Sequence, residues 1–121
     1  MFKSDKSDKM QHWNTVSVRE NITSLIERSR EQPQLIYKHS TRCSVSFITK
    51  EDLDYHVEQI AKHADLHLIN VVEQRDLSNY LSQTLNIRHE SPQALLLRDG
   101  QVTWTGSHWN VKAKEILSRL G

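Results

Sequence analysis

Three short apolar runs, "QLIYKH" at 34–39, "DLHLINVVE" at 65–73 and "QALLL" at 93–97, alternate with stretches whose apolar residues recur at helical spacing. Few architectures accept that alternation. A strand that passes through a helix and returns to the same sheet makes a right-handed parallel crossover as a rule. The expected class is therefore α/β, with a central sheet flanked by helices on both faces. In "SPQALLLRDGQVTWTGSHW", Asp99-Gly100 divides two alternating runs, which signals a hairpin because both central residues of such a turn adopt positive φ. Hairpins are antiparallel, so the sheet must be mixed.

The helices follow from spacing. In "SVRENITSLIERSR", Val18, Ile22, Leu25 and Ile26 form one face, with Ser17 as N-cap, Glu20 as its capping-box partner and an end near Pro33. A second helix with a bend is expected from about Ser44 to His63, burying Val45, Ile48, Leu53, Val57, Ile60 and Ala61 and turning Lys50, Glu51, Asp54 and Glu58 outward. A third starts near Asp76 or Ser78 and buries Leu77, Tyr80, Leu81 and Leu85. The last uses Val111, Ala113, Ile116, Leu117 and Leu120, and a small strand around His12-Trp13 precedes the first.

At 121 residues the chain has the length of one domain, expected over 11–121 behind a Lys/Asp/Ser-rich lead-in at 1–10 whose order depends on docking Phe2 or Met10. Sixteen basic and fifteen acidic residues leave a net charge near zero, so neither nucleic acid nor a membrane surface is an expected partner, while a local patch stays open. No apolar stretch approaches the ~20 residues needed to span a bilayer, and "MFKSDKSDKM" lacks a signal-peptide core, so a cytoplasmic address is expected. A single cysteine cannot close an internal disulfide.

That cysteine, Cys43, lies in "KHSTRCSVS", where a buried strand ends and a helix begins. Unpaired N–H groups and the positive dipole end of a helix stabilise an anion there, which lowers a thiol's pKa below ~8.5 and favours the nucleophilic thiolate. Ser40 and Thr41 are the candidate caps, while His39 and Arg42 add positive potential if they face the sulfur. The inert alternative is a small buried hydrophobe, which the polar "STRC" turn disfavours. Ser46 stands three positions on, so the pattern is C-x-x-S. Its hydroxyl can donate to a thiolate but cannot resolve a mixed disulfide. Ser91-Pro92 immediately precedes a strand, where proline is ordinarily a boundary residue.

With these elements in order, residues 12–120 resemble the thioredoxin superfamily, and within it the monothiol bacilliredoxins of the YtxJ-like type, whose usual motif is T-C-P-I-S. The residues that carry the resemblance are "KHSTRCSVS", "ESPQALLLRDGQVTWTGSHWNV" and the element order between them. It implies a thioredoxin-like fold and a monothiol oxidoreductase that removes bacillithiol from S-bacillithiolated proteins. Cys43 would be the nucleophile and Ser46 would occupy the usual second-cysteine position. Thr41, Arg42, Ser44, Ser91 and Pro92 would form the substrate surface, Pro92 as a cis proline facing the thiol. No tightly bound cofactor or metal is implied. Bacillithiol would be the co-substrate, and a second small thiol or a partner reductase would regenerate the protein. This chain departs from the motif at Arg42, which replaces Thr, and at Ser44, which replaces Pro. Losing that proline frees a backbone N–H near the sulfur and loosens the helix start.

Other readings compete. A monothiol glutaredoxin-like iron–sulfur carrier would also use one cysteine per subunit, but its motif has Gly after the cysteine. A thioredoxin-like adaptor or redox sensor would keep Cys43 only as a mixed-disulfide handle. His56, His63 and His67 lack structural-zinc spacing with Cys43, and solvated or capping roles are expected of them. His108 and Trp109 are expected to serve packing and helix entry, with Asn110 as N-cap.

Overall fold

The computed structural model describes residues 12–121, and the lead-in expected at 1–10 lies outside them. Five strands form one sheet: β1 (Trp13–Thr15), β2 (Gln34–His39), β3 (Asp65–Asn70), β4 (Gln93–Arg98) and β5 (Gln101–Ser107), in the order β1-β3-β2-β4-β5. β3 runs parallel to β1 and β2, whereas β4 runs antiparallel to β2 and β5. The helices are α1 (Arg19–Arg28), α2 (Ser44–Tyr55), α3 (Val57–Ala61), α4 (Arg75–Leu85) and α5 (Ala113–Leu120).

The parallel-crossover rule fails for β4, although a helix separates it from β3. Asn86 ends α4 with a φ of 53°, and residues 86–92 then run back along that helix, Ile87 N–H meeting Ser82 O at 2.9 Å and His89 reaching Ser78 at 3.3 Å. Seven extended residues cover about 23 Å, more than the ~16 Å of an eleven-residue helix, so β4 starts where α4 started and must run the other way. The hairpin forms as expected, with Asp99 and Gly100 at φ of 53° and 79°.

Both faces of the sheet are covered. Leu35, Tyr37, Leu53, Ile60, Leu96 and Ile116 belong to the core under α2, α3 and α5, while Ile22, Leu25, Ile36, Ile69, Leu81 and Leu95 belong to the core under α1 and α4. Each such aliphatic side chain, removed from water, contributes roughly 1.5–3 kcal/mol before the entropy cost. β2 is buried along its whole length, which fixes the turn that follows it.

Several local expectations are corrected. Ser17 does not cap α1: Asn21 Oδ1 reaches back to accept the Ser17 and Val18 N–H groups at 2.9 and 3.1 Å, and Val18 is exposed. The bend in the second helix is a break at His56 between α2 and α3, and Ile48 faces outward. Asn110 does not cap α5. Lys112 holds that position, and Asp52 Oδ2 accepts the Ala113 N–H at 2.8 Å.

Candidate active site

β2 delivers the chain into a turn held by two serines. The Cys43 N–H donates to Ser40 O (3.2 Å), the Ser40 hydroxyl accepts the Arg42 N–H (3.3 Å), and the Ser46 hydroxyl accepts the Ser40 N–H (3.1 Å). Cys43 itself is the N-cap of α2, so neither Ser40 nor Thr41 caps the helix. The thiol is half-buried, and Thr41, Arg42 and Ser44 around it are exposed. It therefore stands where the helix leaves its first N–H groups without intrahelical acceptors.

Behind the turn stand two buried rings, Tyr37 and His39. Tyr37 donates its hydroxyl to Ser46 O at 2.6 Å and lies 2.6 Å from Thr49 Oγ1. Burial pushes its pKa up to about 12, so it remains a hydrogen-bond donor at any physiological pH. His39 does not supply the positive potential expected of it: the ring is buried, its Nδ1 has no hydrogen-bond partner, and burial followed by the Lys50 charge lowers its pKa. Its ring packs edge-on against Phe47, centroids 4.7 Å apart.

The Ser91-Pro92 peptide is cis, and Pro92 O accepts the His108 N–H at 2.9 Å. That bond ties the proline loop to the 3₁₀ turn His108–Asn110, which packs on α2. His108 Nδ1 lies 3.8 Å from Glu90, and Trp109 is 58% exposed instead of packed inside. A groove of about 750 Å³ runs beside this turn, with Glu90, Trp104, His108 and Trp109 among its walls.

Sequence patterning missed Lys38. Its side chain shares a face of β2 with Ile36, and it is fully buried with Nζ at 2.6 Å from Ser82 Oγ, 3.1 Å from His89 Nδ1 and 3.5 Å from Ser78 O. A lysine in phase with apolar neighbours on a buried run was the available signal. His67 is likewise neither solvated nor a cap, since its Nε2–H meets Gln34 Oε1 at 2.6 Å. Among the described residues no cluster of three or more His, Cys, Asp or Glu could hold a metal ion.

A half-buried single thiol on a helix N-cap and a cis-proline loop before β4, in a five-stranded mixed sheet, place the molecule among the thioredoxin-fold proteins. Solved structures agree. A thioredoxin-fold protein superposes with a TM-score of 0.79 at 23% identity, over 91% of this chain and 95% of that one. Thioredoxin O2 of Arabidopsis thaliana, in its oxidized state, gives 0.73 at 13% identity over 92% and 96%, and a Malassezia sympodialis thioredoxin gives 0.70 at 13% over 88% of each. The family model of the monothiol bacilliredoxin BrxC matches residues 14–116, and the chain belongs to that family. Family and fold together support a redox function.

Proposed function

We propose that the protein removes bacillithiol from S-bacillithiolated client proteins through its single cysteine. The observation that carries this reading is the half-buried Cys43 at the N-cap of α2, with a buried hydroxyl, Ser46, one turn on. The Cys43 thiolate attacks the bacillithiol sulfur of the client's mixed disulfide. A new S–S bond joins Cys43 to bacillithiol, the old one breaks, and the client sulfur leaves as a thiolate that takes a proton from water. Attack by a second bacillithiol, or by the thiol of a partner reductase, then restores Cys43 and carries the oxidising equivalents away as a new disulfide. An external thiol is required because the chain holds no second cysteine.

Exposed Thr41, Arg42, Ser44 and half-buried Ser91 would meet the capped client, with Pro92 behind them. The cycle uses no tightly bound cofactor. A reducing cytoplasm would keep the resting thiol free, and among the described residues no helix is long and apolar enough to cross a membrane.

The test is release of an S-bacillithiolated client followed by mass spectrometry. The expected result is free client together with protein heavier by one bacillithiol, and no release above background with Cys43→Ala. Equal release by Cys43→Ala would overturn the thiol mechanism. Capping of Cys43 without client release would favour the adaptor or sensor.

A further inference from the structure

A second cavity, of about 190 Å³, opens at the carboxyl ends of β2 and β3, the crevice where open α/β sheets characteristically bind ligands. Ser40 and Arg42 line it from the Cys43 turn, Ser91 from the proline loop, Arg75 and Ser78 from α4, and His89 from the segment that climbs back along α4. The cavity thus opens next to Cys43 in sequence, between the thiol turn and the proline loop, without Cys43 itself lining it.

Its charge has one sign. No carboxylate is among the lining residues, and among the described residues neither Arg42 nor Arg75 is in an ion pair. Immediately behind Ser78 and His89 sits the Lys38 ammonium, fully buried and also without a carboxylate. Because Lys38 donates to His89 Nδ1, a neutral His89 carries its proton on Nε2 and keeps one ring donor for another partner. On a chain whose formal net charge is only +1, three side-chain cations and a histidine gather here, where the Lys38 and Arg75 charges outweigh that of neighbouring Glu90 at His89, and they form a local anion site. The volume is that of about six liquid waters, room for a small carboxylate group and not for a polypeptide segment.

We propose that this cavity seats the carboxylate-bearing end of a small thiol disulfide while Cys43 exchanges with its sulfur. The inference rests on the reading above in one respect: bacillithiol is such a thiol, its malyl end being a dicarboxylate. The seated group is not chemically altered. It orients the S–S bond, whose cleavage returns one sulfur as thiolate and leaves the other on Cys43.

Three model disulfides of similar length test it without bacillithiol: anionic 3,3′-dithiodipropionate, neutral 2-hydroxyethyl disulfide and cationic cystamine. Capping rates of Cys43 are read by mass spectrometry at low ionic strength. The unmutated protein is expected to react faster with the anionic than with the neutral disulfide. Arg75→Gln is expected to cut that ratio about tenfold, the worth of one charge-assisted hydrogen bond, and Arg75→Lys to retain most of it. L-malate should compete with the anionic disulfide alone. No anionic preference, or a ratio that survives Arg75→Gln, would overturn the site. So would an equal fall with Arg30→Gln, just before the opposite end of β2, because only net charge would then be at work. A charge ratio that persists in a protein unable to release a bacillithiolated client would sink the de-bacillithiolation reading and leave the anion site standing; the reverse outcome would do the opposite.

Discussion

The two faces of β2 handle polarity in opposite ways. Toward α2 the strand presents Leu35, Tyr37 and His39, and the polar groups there are neutral: a phenol held in its protonated form by burial and an imidazole whose pKa burial lowers. The phenol hydroxyl binds the first turns of α2, at Ser46 O and Thr49. Toward α1 and α4 it presents Gln34, Ile36 and Lys38, and polarity there is ionic or poised to become so. Burial pushes Lys38 down to about 8, and His67, bonded to Gln34, down to about 4. One face holds the thiol turn through groups that are neutral at physiological pH. The other stores uncompensated positive charge where β2 ends.

Acid titration should expose the difference most strongly. His67 holds its proton less tightly when folded than in the unfolded chain, whose value is near 6.5. The unfolded state therefore binds more protons between about pH 6.5 and 4, and stability falls as pH drops through that window, by an amount on the order of 3 kcal/mol. His67→Gln should flatten this limb in urea melts recorded at pH 4.5 and pH 7. An unchanged limb would remove His67 from the ionic face.

Lys38→Met should give the next largest effect, with the same sign of pH dependence in a more alkaline window. The folded lysine loses its proton near 8 and the unfolded one near 10.5, so the penalty for burying the ammonium is complete below about pH 8 and relieved by about pH 10.5. Relief of that penalty is offset in part by the Ser82 and His89 atoms left without a donor. A net gain of about 2 kcal/mol at pH 7, vanishing toward pH 10.5, is the expected outcome in the same melts. A loss at pH 7 would show that the lysine's hydrogen bonds outweigh its desolvation.

Tyr37→Phe is expected to cost about 1–2 kcal/mol by leaving Ser46 O without its donor and Thr49 Oγ1 without the phenol oxygen as partner. The loss should be equal at pH 5 and pH 9, because the hydroxyl does not ionise in that range. A pH-dependent loss would break the contrast between the faces.

What the sequence revealed followed periodicity and turn chemistry. The Asp99-Gly100 hairpin was legible because two successive residues at positive φ tolerate few alternatives, and β2 was legible because a short apolar run bounded by turn residues has one common fate. Cys43 was legible as a helix-start residue for the same reason. The direction of β4 was hidden because it depends on the climb of residues 86–92 along α4, which no local pattern encodes. The N-cap of α1 was hidden because Asn21 reaches backward from inside the helix, displacing the Ser17 reading. The state of His39 was not legible because charge state follows burial, and burial of a histidine at a strand end is decided by the helix that packs on it. The exposure of Ile48 and Trp109 departs from apolar patterning in the other direction, at surfaces where core packing does not decide.

Ser46 has a consequence for anyone who would re-engineer the protein. Dithiol oxidoreductases of the fold carry sulfur at that position, and a single codon change would place it here. Yet the Ser46 oxygen is fully buried and anchors the Ser40 amide. Sulfur is a weaker acceptor on a longer bond, so Ser46→Cys would gain a partner for Cys43 by loosening the hinge that aims it. A genetically encoded redox reporter built on this scaffold is better obtained by tethering a foreign thiol domain than by writing a second cysteine into the turn.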